Sequence, residues 1–265
     1  MLAAENLVFR AGSRLLIDHV SAAFEPGLLH LIIGPNGAGK STLIRILARL
    51  LRPAEGRVLY DGRDVASQSA RDLARRRAML SQAVEVAFSL PVRELVLMGR
   101  YPHFTARPGA GDEQVCDEVM KFFGLAGMAD RCYGTLSGGE RQRVQFARVL
   151  AQIWRPVEGA TRILFLDEPL TFLDILHQID FMNKIRGFAA QKDAVVVGVV
   201  HDLNLAARFA DRLLLLHQGR ILAEGPPPGV LVEEHLRPAF GVAPVLIRDA
   251  ATGKTHLVFE DRGPA

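Results

Sequence analysis

The sequence predicts an α/β fold, and three nearly continuous apolar runs predict it. "LLHLII" from Leu28, "RILFL" from Arg162 and "AVVVGVV" from Ala194 read as strands covered on both faces. Each run ends in polar chemistry: a glycine-rich turn after Ile33, Asp167 and Glu168 after the second run, His201 and Asp202 after the third. Parallel sheets collect ligands at the carboxyl ends of their strands, so all three runs point toward one site.

The remaining elements follow in order. "NLVFR", "RLLIDHVSAAF" and "RVLYDG" in the first sixty residues are short strands, the last closed by an Asp-Gly turn. Between them the first buried run passes through its turn into "KSTLIRILARLL", whose apolar positions fall at helical spacing. The basic cluster "ARDLARRRAML" from Ala70 reads as the solvated face of a helix. From about Gln82 to Trp154 the pattern turns to helices broken by loops, an inserted helical lobe at about residues 83–155. "LLLLHQGRILAEG" is a strand, a Gln-Gly turn and a strand, an antiparallel hairpin at a sheet edge. "GPPPGV" marks a break, and residues 243–265 form a short tail behind a main domain of residues 1–242.

Composition bounds the function. With 265 residues, 49% hydrophobic and 23% charged, the chain can bury a large core and is not disordered. A net charge of +3 is too weakly basic to imply nucleic acid. Cys116 and Cys132 form no CxxC pair and are expected to be reduced thiols of a cytosolic protein. No apolar run reaches the roughly 18 residues of a membrane span, and no signal-peptide pattern opens the chain, so a membrane role requires a partner.

"GPNGAGKS" from Gly34 matches G-x-x-x-x-G-K-[ST] between a buried strand and a helix. Gly34, Pro35, Asn36, Gly37, Ala38 and Gly39 form the loop, whose backbone N–H groups can close on phosphate oxygens, with Thr42 following in the helix. Lys40 supplies a cation to the β- and γ-phosphates and Ser41 a hydroxyl to Mg²⁺. "ATGKTH" near the end also contains Gly-Lys-Thr, but Arg248 stands where the first glycine belongs. "RILFLDEP" delivers Asp167 toward Mg²⁺ and Glu168 toward an attacking water, the alternative being two solvated acids at a strand end. In "TLSGGERQRVQFARVLAQIW", Ser137 and Glu140 form a capping box, and Val144, Ala147, Ala151 and Trp154 fall on one helix face. Gly138 and Gly139 weaken a first turn, which makes sense if an anion must approach the helix end closely.

"LSGGERQ", between the two nucleotide motifs, resembles the signature of the ATP-binding cassette (ABC) family, and the resemblance runs from Met1 to about Val242. It implies an ABC-type P-loop ATPase with a mixed central sheet, an antiparallel β subdomain and an inserted helical subdomain. It implies ATP and Mg²⁺ as ligands. It also implies a head-to-tail homodimer in which Ser137, Gly138 and Gly139 meet the ATP on the partner's phosphate loop. Gln82 is similar to the family's lid glutamine at Mg²⁺, and His201 to its switch histidine at the γ-phosphate, although a histidine there could also be structural. "LTFLD" occupies the D-loop place, with Asp174 retained and Phe172 a bulky departure. The aromatic residue that stacks on adenine aligns near Ala11, which cannot stack; Phe9 is the nearest substitute, with a core role as the alternative.

Repair-type cassettes carry long coiled coils and translation factors carry two cassettes; neither feature is present. A soluble iron–sulfur assembly ATPase remains the reading from a different class. "FSLPVRELVLMGRYPHF" and "VVHDLNLAARFADRLLLLHQGRILAEGPP" resemble ATPases of iron-siderophore, haem and cobalamin importers. Haemin import ATPases carry extra residues where this chain has "QIWRPVEGATR", so the resemblance implies haemin, with ferric siderophore or cobalamin as the alternative cargo. The implied partners are a membrane permease dimer and, indirectly, a periplasmic haem-binding protein, with no nucleic acid. The implied location is peripheral, on the cytoplasmic face of the inner membrane.

Overall fold

The computed structural model describes residues 1–81, 90–170, 173–242, 244–248 and 255–258. Its first elements are β1 (Leu2–Ala11), β2 (Arg14–Phe24), β3 (Leu29–Ile33), α1 (Lys40–Leu47), β4 (Glu55–Tyr60) and β5 (Arg63–Asp64). Then come α2 (Ala70–Arg76), β6 (Arg77–Leu80), α3 (Val92–Leu97), α4 (Ala110–Phe122) and α5 (Gly138–Gln152). The chain returns to the sheet with β7 (Arg162–Asp167), α6 (Ile175–Ala189), β8 (Ala194–Val199), α7 (Leu203–Phe209), β9 (Arg212–His217) and β10 (Arg220–Gly225). It closes with α8 (Pro227–Val230), α9 (Glu233–Phe240) and a hairpin of β11 (Val245–Arg248) and β12 (Thr255–Val258).

The six-stranded sheet has the order β10-β9-β3-β8-β7-β6. Its central pairings are parallel and only the edge hairpin β9–β10 is antiparallel, so the sheet is mixed. The four-stranded antiparallel sheet has the order β2-β1-β4-β5. Alternation along the buried strands explains the layering. Ile32, Phe165, Val197 and Leu214 face a core shared with α1 and the antiparallel sheet. Leu31, Leu164, Leu166, Val196 and Leu213 face the opposite core, which continues into Val92, Leu95, Val119, Val144 and Ala147 of the helical region. The helical lobe thus has no separate core. It grows from the outer face of the sheet.

Two features depart from the sequence reading. The basic stretch from Ala70 is a helix only to Arg76; Arg77–Leu80 is edge strand β6, paired in parallel with β7. "GPPPGV" is a short helix, and α9 follows it. The terminal hairpin is clipped to α7: the Asn204 side-chain amide donates to the Leu257 carbonyl at 3.1 Å and accepts from its N–H at 2.8 Å.

Arg162, fully buried at the root of β7, ties the lobe to the sheet. Its guanidinium donates to the carbonyls of Ile153 and Trp154 behind α5 and to both oxygens of Asp193 before β8, each of the latter at 2.7 Å. The extra segment after α5 is a tight surface turn closed by Val157 and Ala160, with Trp154 and Arg155 bonded back to Glu118 of α4. Neither Cys116 nor Cys132 is in a disulfide among the described residues, and burial pushes the Cys116 thiol up to about 11, which leaves it protonated and inert.

Candidate functional site

The phosphate loop leaves β3 at Ile33 and enters α1 at Lys40, and its shape is forced by its own neighbours. A Cβ on Gly34 would sit 2.1 Å from the Leu216 carbonyl oxygen; one on Gly39, at φ +104°, would sit 2.5 Å from that of Leu16. Only glycine fits at either place. The Gly219 N–H pins the loop by donating to the Ala38 carbonyl at 3.0 Å. No side chain caps α1, so no side-chain oxygen competes for its first N–H groups.

Lys40 is buried and its Nζ donates to the carbonyls of Gly34 at 2.8 Å and Pro35 at 2.9 Å. Burial lowers its pKa, and the nearby carboxylates of Glu168 and Asp167 oppose that shift. Ser41, one residue on, donates from Oγ to Asp167 Oδ1 at 2.8 Å. Asp167 is almost fully buried at the end of β7, and burial raises its pKa against the Ser41 hydrogen bond and the Arg45 guanidinium 3.8 Å away. A hydroxyl and a buried carboxylate therefore meet beside the loop's cation.

Glu168 adopts a left-handed backbone conformation, φ +53°, which turns it out of the line of the strand. His201 Nε2, just beyond β8, lies 2.6 Å from Glu168 Oε1. A cavity of about 180 Å³ opens beside this pair, with Gln178, Asp202 and Leu205 among its walls. Asp202 itself caps α7, accepting from the N–H groups of Asn204 and Leu205.

The signature stretch is built differently. Ser137 Oγ accepts from the Glu140 N–H at 3.3 Å while the Glu140 carboxylate accepts from the Ser137 N–H at 2.8 Å, a complete capping box. Those bonds hold the Glu140 carboxyl below the ordinary glutamate value, with Arg131 adding to the effect. A Cβ on Gly138 or Gly139 would meet nothing within 4 Å. Nothing among the described residues requires these glycines. Asp174 caps α6, accepting from the His177 N–H at 2.9 Å with His177 Nδ1 at 2.8 Å from the same oxygen.

Lys40, Ser41, Asp167, Glu168 and His201 thus gather at one end of the six-stranded sheet, linked by hydrogen bonds, ion pairs or the electrostatic reach of their carboxylates. Ser137, Gly138, Gly139 and Asp174 share no hydrogen bond or ion pair with them among the described residues. Gln82 and Phe172 lie outside the described residues. Ala11 is the exposed last residue of β1, opposite Arg14, and Phe9 is half-buried against the core between the sheets. Sequence reading missed Arg45, although its place four residues after Ser41 puts it on the same helix face. It also missed Gln142, whose amide donates to the Pro169 carbonyl at 2.9 Å and joins the signature helix to the residue after Glu168. Both lay inside quoted motifs.

Comparison with known proteins agrees with this geometry. The family model described as ABC transporter matches residues 17–171. A hemin import ATP-binding protein of Gloeobacter violaceus is 45% identical over 253 residues, 96% of this chain and 92% of its own. One of Escherichia coli O157:H7 is 38% identical over 260 residues, 98% of this chain and all of its own. Among solved structures, a chain from an inward-facing ABC transporter described as of metal-chelate type superposes with a TM-score of 0.82 at 25% identity, covering 98% of each chain.

Proposed function

The chain belongs to the ABC transporter family, and from that premise we propose that this ATP-hydrolysing cassette energises haemin uptake through a separate membrane permease. The observation that carries the chemistry is the Glu168–His201 contact beside the Lys40, Ser41 and Asp167 cluster. The loop N–H groups and Lys40 bind the β- and γ-phosphates and offset their charge. Glu168, held against His201, is the group that takes a proton from the attacking water. Ser41 Oγ and the Asp167 carboxylate are hard oxygen donors and suit Mg²⁺, which takes few protein ligands beside substrate phosphates; Gln82 is assigned to the same ion by family likeness. Mg²⁺, when bound, supplies charge neutralisation on the transferred phosphoryl group.

Gly138 and Gly139, which no described residue requires to be bare, support a homodimer in which each signature helix end meets the ATP on the other copy's loop, with Asp174 at the contact. The segment 88–104 is the assigned docking face for the permease. Its Tyr101 is 58% exposed, with Phe104 edge-on at 5.5 Å between ring centroids. No helix among the described residues is long and apolar enough to cross a membrane, which fits a peripheral subunit on the cytoplasmic face of the inner membrane. We assign residues 1–242 to the cassette, with the helical subdomain at about 83–155, and 243–265 to a tail.

Haemin rests on the named relatives, since a motor does not itself touch the cargo. The reading is tested by deleting the gene. Growth on haemin as sole iron source should stop while ferric siderophore and cobalamin use continue; the reverse pattern moves the cargo assignment and leaves the ATPase in place. The catalytic role is tested by Glu168→Gln, which should keep ATP binding and accumulate an ATP-bound dimer while turnover falls at least about a hundredfold. Near-normal turnover removes Glu168 from that role.

A further inference from the structure

A nucleotide whose phosphates rest on Gly34–Ser41 must lay its base against whatever flanks that loop. The flank is the tip of the β1–β2 hairpin. The Leu16 carbonyl oxygen stands 2.5 Å from where a Cβ on Gly39 would be, and Arg14 Nη2 stands 3.6 Å from where one on Gly37 would be. The hairpin tip therefore overhangs the outer bend of the loop, with Ala11 and Arg14 paired across its end.

A purine needs a flat partner. Phe9 is half-buried with its ring packed against the core between the sheets, Ala11 offers one methyl, and Gly12 and Ser13 offer no plane. Arg14 does. Its side chain is exposed, and no carboxylate among the described residues lies within ion-pairing distance of it, in contrast to Arg45 and Arg220, which pair with Asp167 and Asp18. A guanidinium is planar, always charged, and stacks on aromatic faces in a way an ammonium cannot.

We propose that Arg14 is the base platform of this nucleotide site, its guanidinium stacked on the purine in place of an aromatic side chain. Stacking reads a π-face rather than an edge, so the platform binds adenine and guanine nucleotides alike.

The test is calorimetric titration of the full chain with ADP, GDP and inorganic pyrophosphate at 150 mM salt, where distant charge effects are screened. Arg14→Ala should weaken ADP and GDP about fivefold to tenfold, the range of a partly desolvated cation–π contact, and pyrophosphate less than about twofold. Arg14→Trp should restore ADP affinity to within about twofold, and Arg14→Lys, which keeps charge without a plane, should restore less. The proposal is overturned if ADP and pyrophosphate weaken equally and Lys rescues both, because Arg14 then contacts phosphate. It is equally overturned if Arg14→Ala leaves ADP binding unchanged. Retained pyrophosphate binding in every variant keeps this outcome separate from any failure of the phosphate loop itself.

Discussion

Two helix beginnings in this molecule carry paired glycines, and they are built on opposite principles. At α1, Gly34 and Gly39 are dictated from inside: the Leu216 and Leu16 carbonyls occupy the space of any side chain, and the helix end carries no side-chain cap. At α5, Gly138 and Gly139 crowd nothing, and the helix end carries the Ser137–Glu140 capping box. The first glycines shape a loop that this chain folds by itself. The second keep a surface clear, and no described residue of this chain accounts for them. A glycine's neighbours therefore distinguish a residue needed for folding from one needed for approach.

The sharpest way to break this comparison is to add one methyl group at each end. Gly34→Ala should cost more than about 3 kcal/mol, or on the order of 10 °C in Tm, because the carbonyl it strikes belongs to the backbone of β9. ADP binding should vanish with it. Gly138→Ala should leave ADP affinity unchanged and hold or slightly raise Tm, since alanine favours a helix over glycine by up to about 1 kcal/mol. Its ATPase rate at protein concentrations that favour the dimer should fall by at least about tenfold, the loss of a close anion contact. Thermal melts beside turnover assays decide the matter. Equal destabilisation by the two substitutions, or normal turnover in Gly138→Ala, ends the distinction.

The smallest effect sharpens the comparison from its charge side. Burial raises the Asp167 pKa, so between the unfolded value near 3.8 and the higher folded one the folded state binds more protons. The buried charge therefore opposes folding at neutral pH, and that cost is relieved as pH falls through the folded pKa. Asp167→Asn should raise Tm by about 2 °C at pH 7.5, with the difference from the parent narrowing toward pH 4, while hydrolysis is lost. A lower Tm for Asp167→Asn at pH 7.5 shows that Ser41 and Arg45 more than compensate the burial. The opposite sign holds at Glu140, whose cap depends on the ionised carboxylate.

These contrasts also mark what could be read from sequence. The phosphate loop, the strand ending in Asp167 and Glu168, and the Ser137–Glu140 box were legible because each is a local spacing with a local physical cause. Strand β6 was not: it is four residues long, continues directly from α2, and is a strand only because β7 lies beside it. The Ser41–Asp167 hydrogen bond spans 126 positions, and no local pattern announces it. Phe9 fits base or core equally on sequence, and the strand pairing shifts register on both sides of it. Arg14 carried no signal at all, since a strand-edge arginine is ordinary until the loop it overhangs is placed.

The clamp made by Arg162 sets how the helical lobe can move. One side chain grips the carbonyls behind α5 and the start of β8, so the far end of the signature helix is fastened to the root of the sheet. Taken from Arg162 as a fulcrum, the fifteen residues of α5 span about 20 Å at 1.5 Å per residue. A tilt of only about 5° at the fulcrum carries Gly138 through about 2 Å, roughly the difference between a hydrogen bond made and one broken. The amide of Gln142, four residues from Gly138, is bonded to the Pro169 carbonyl and holds the outer end against such a tilt.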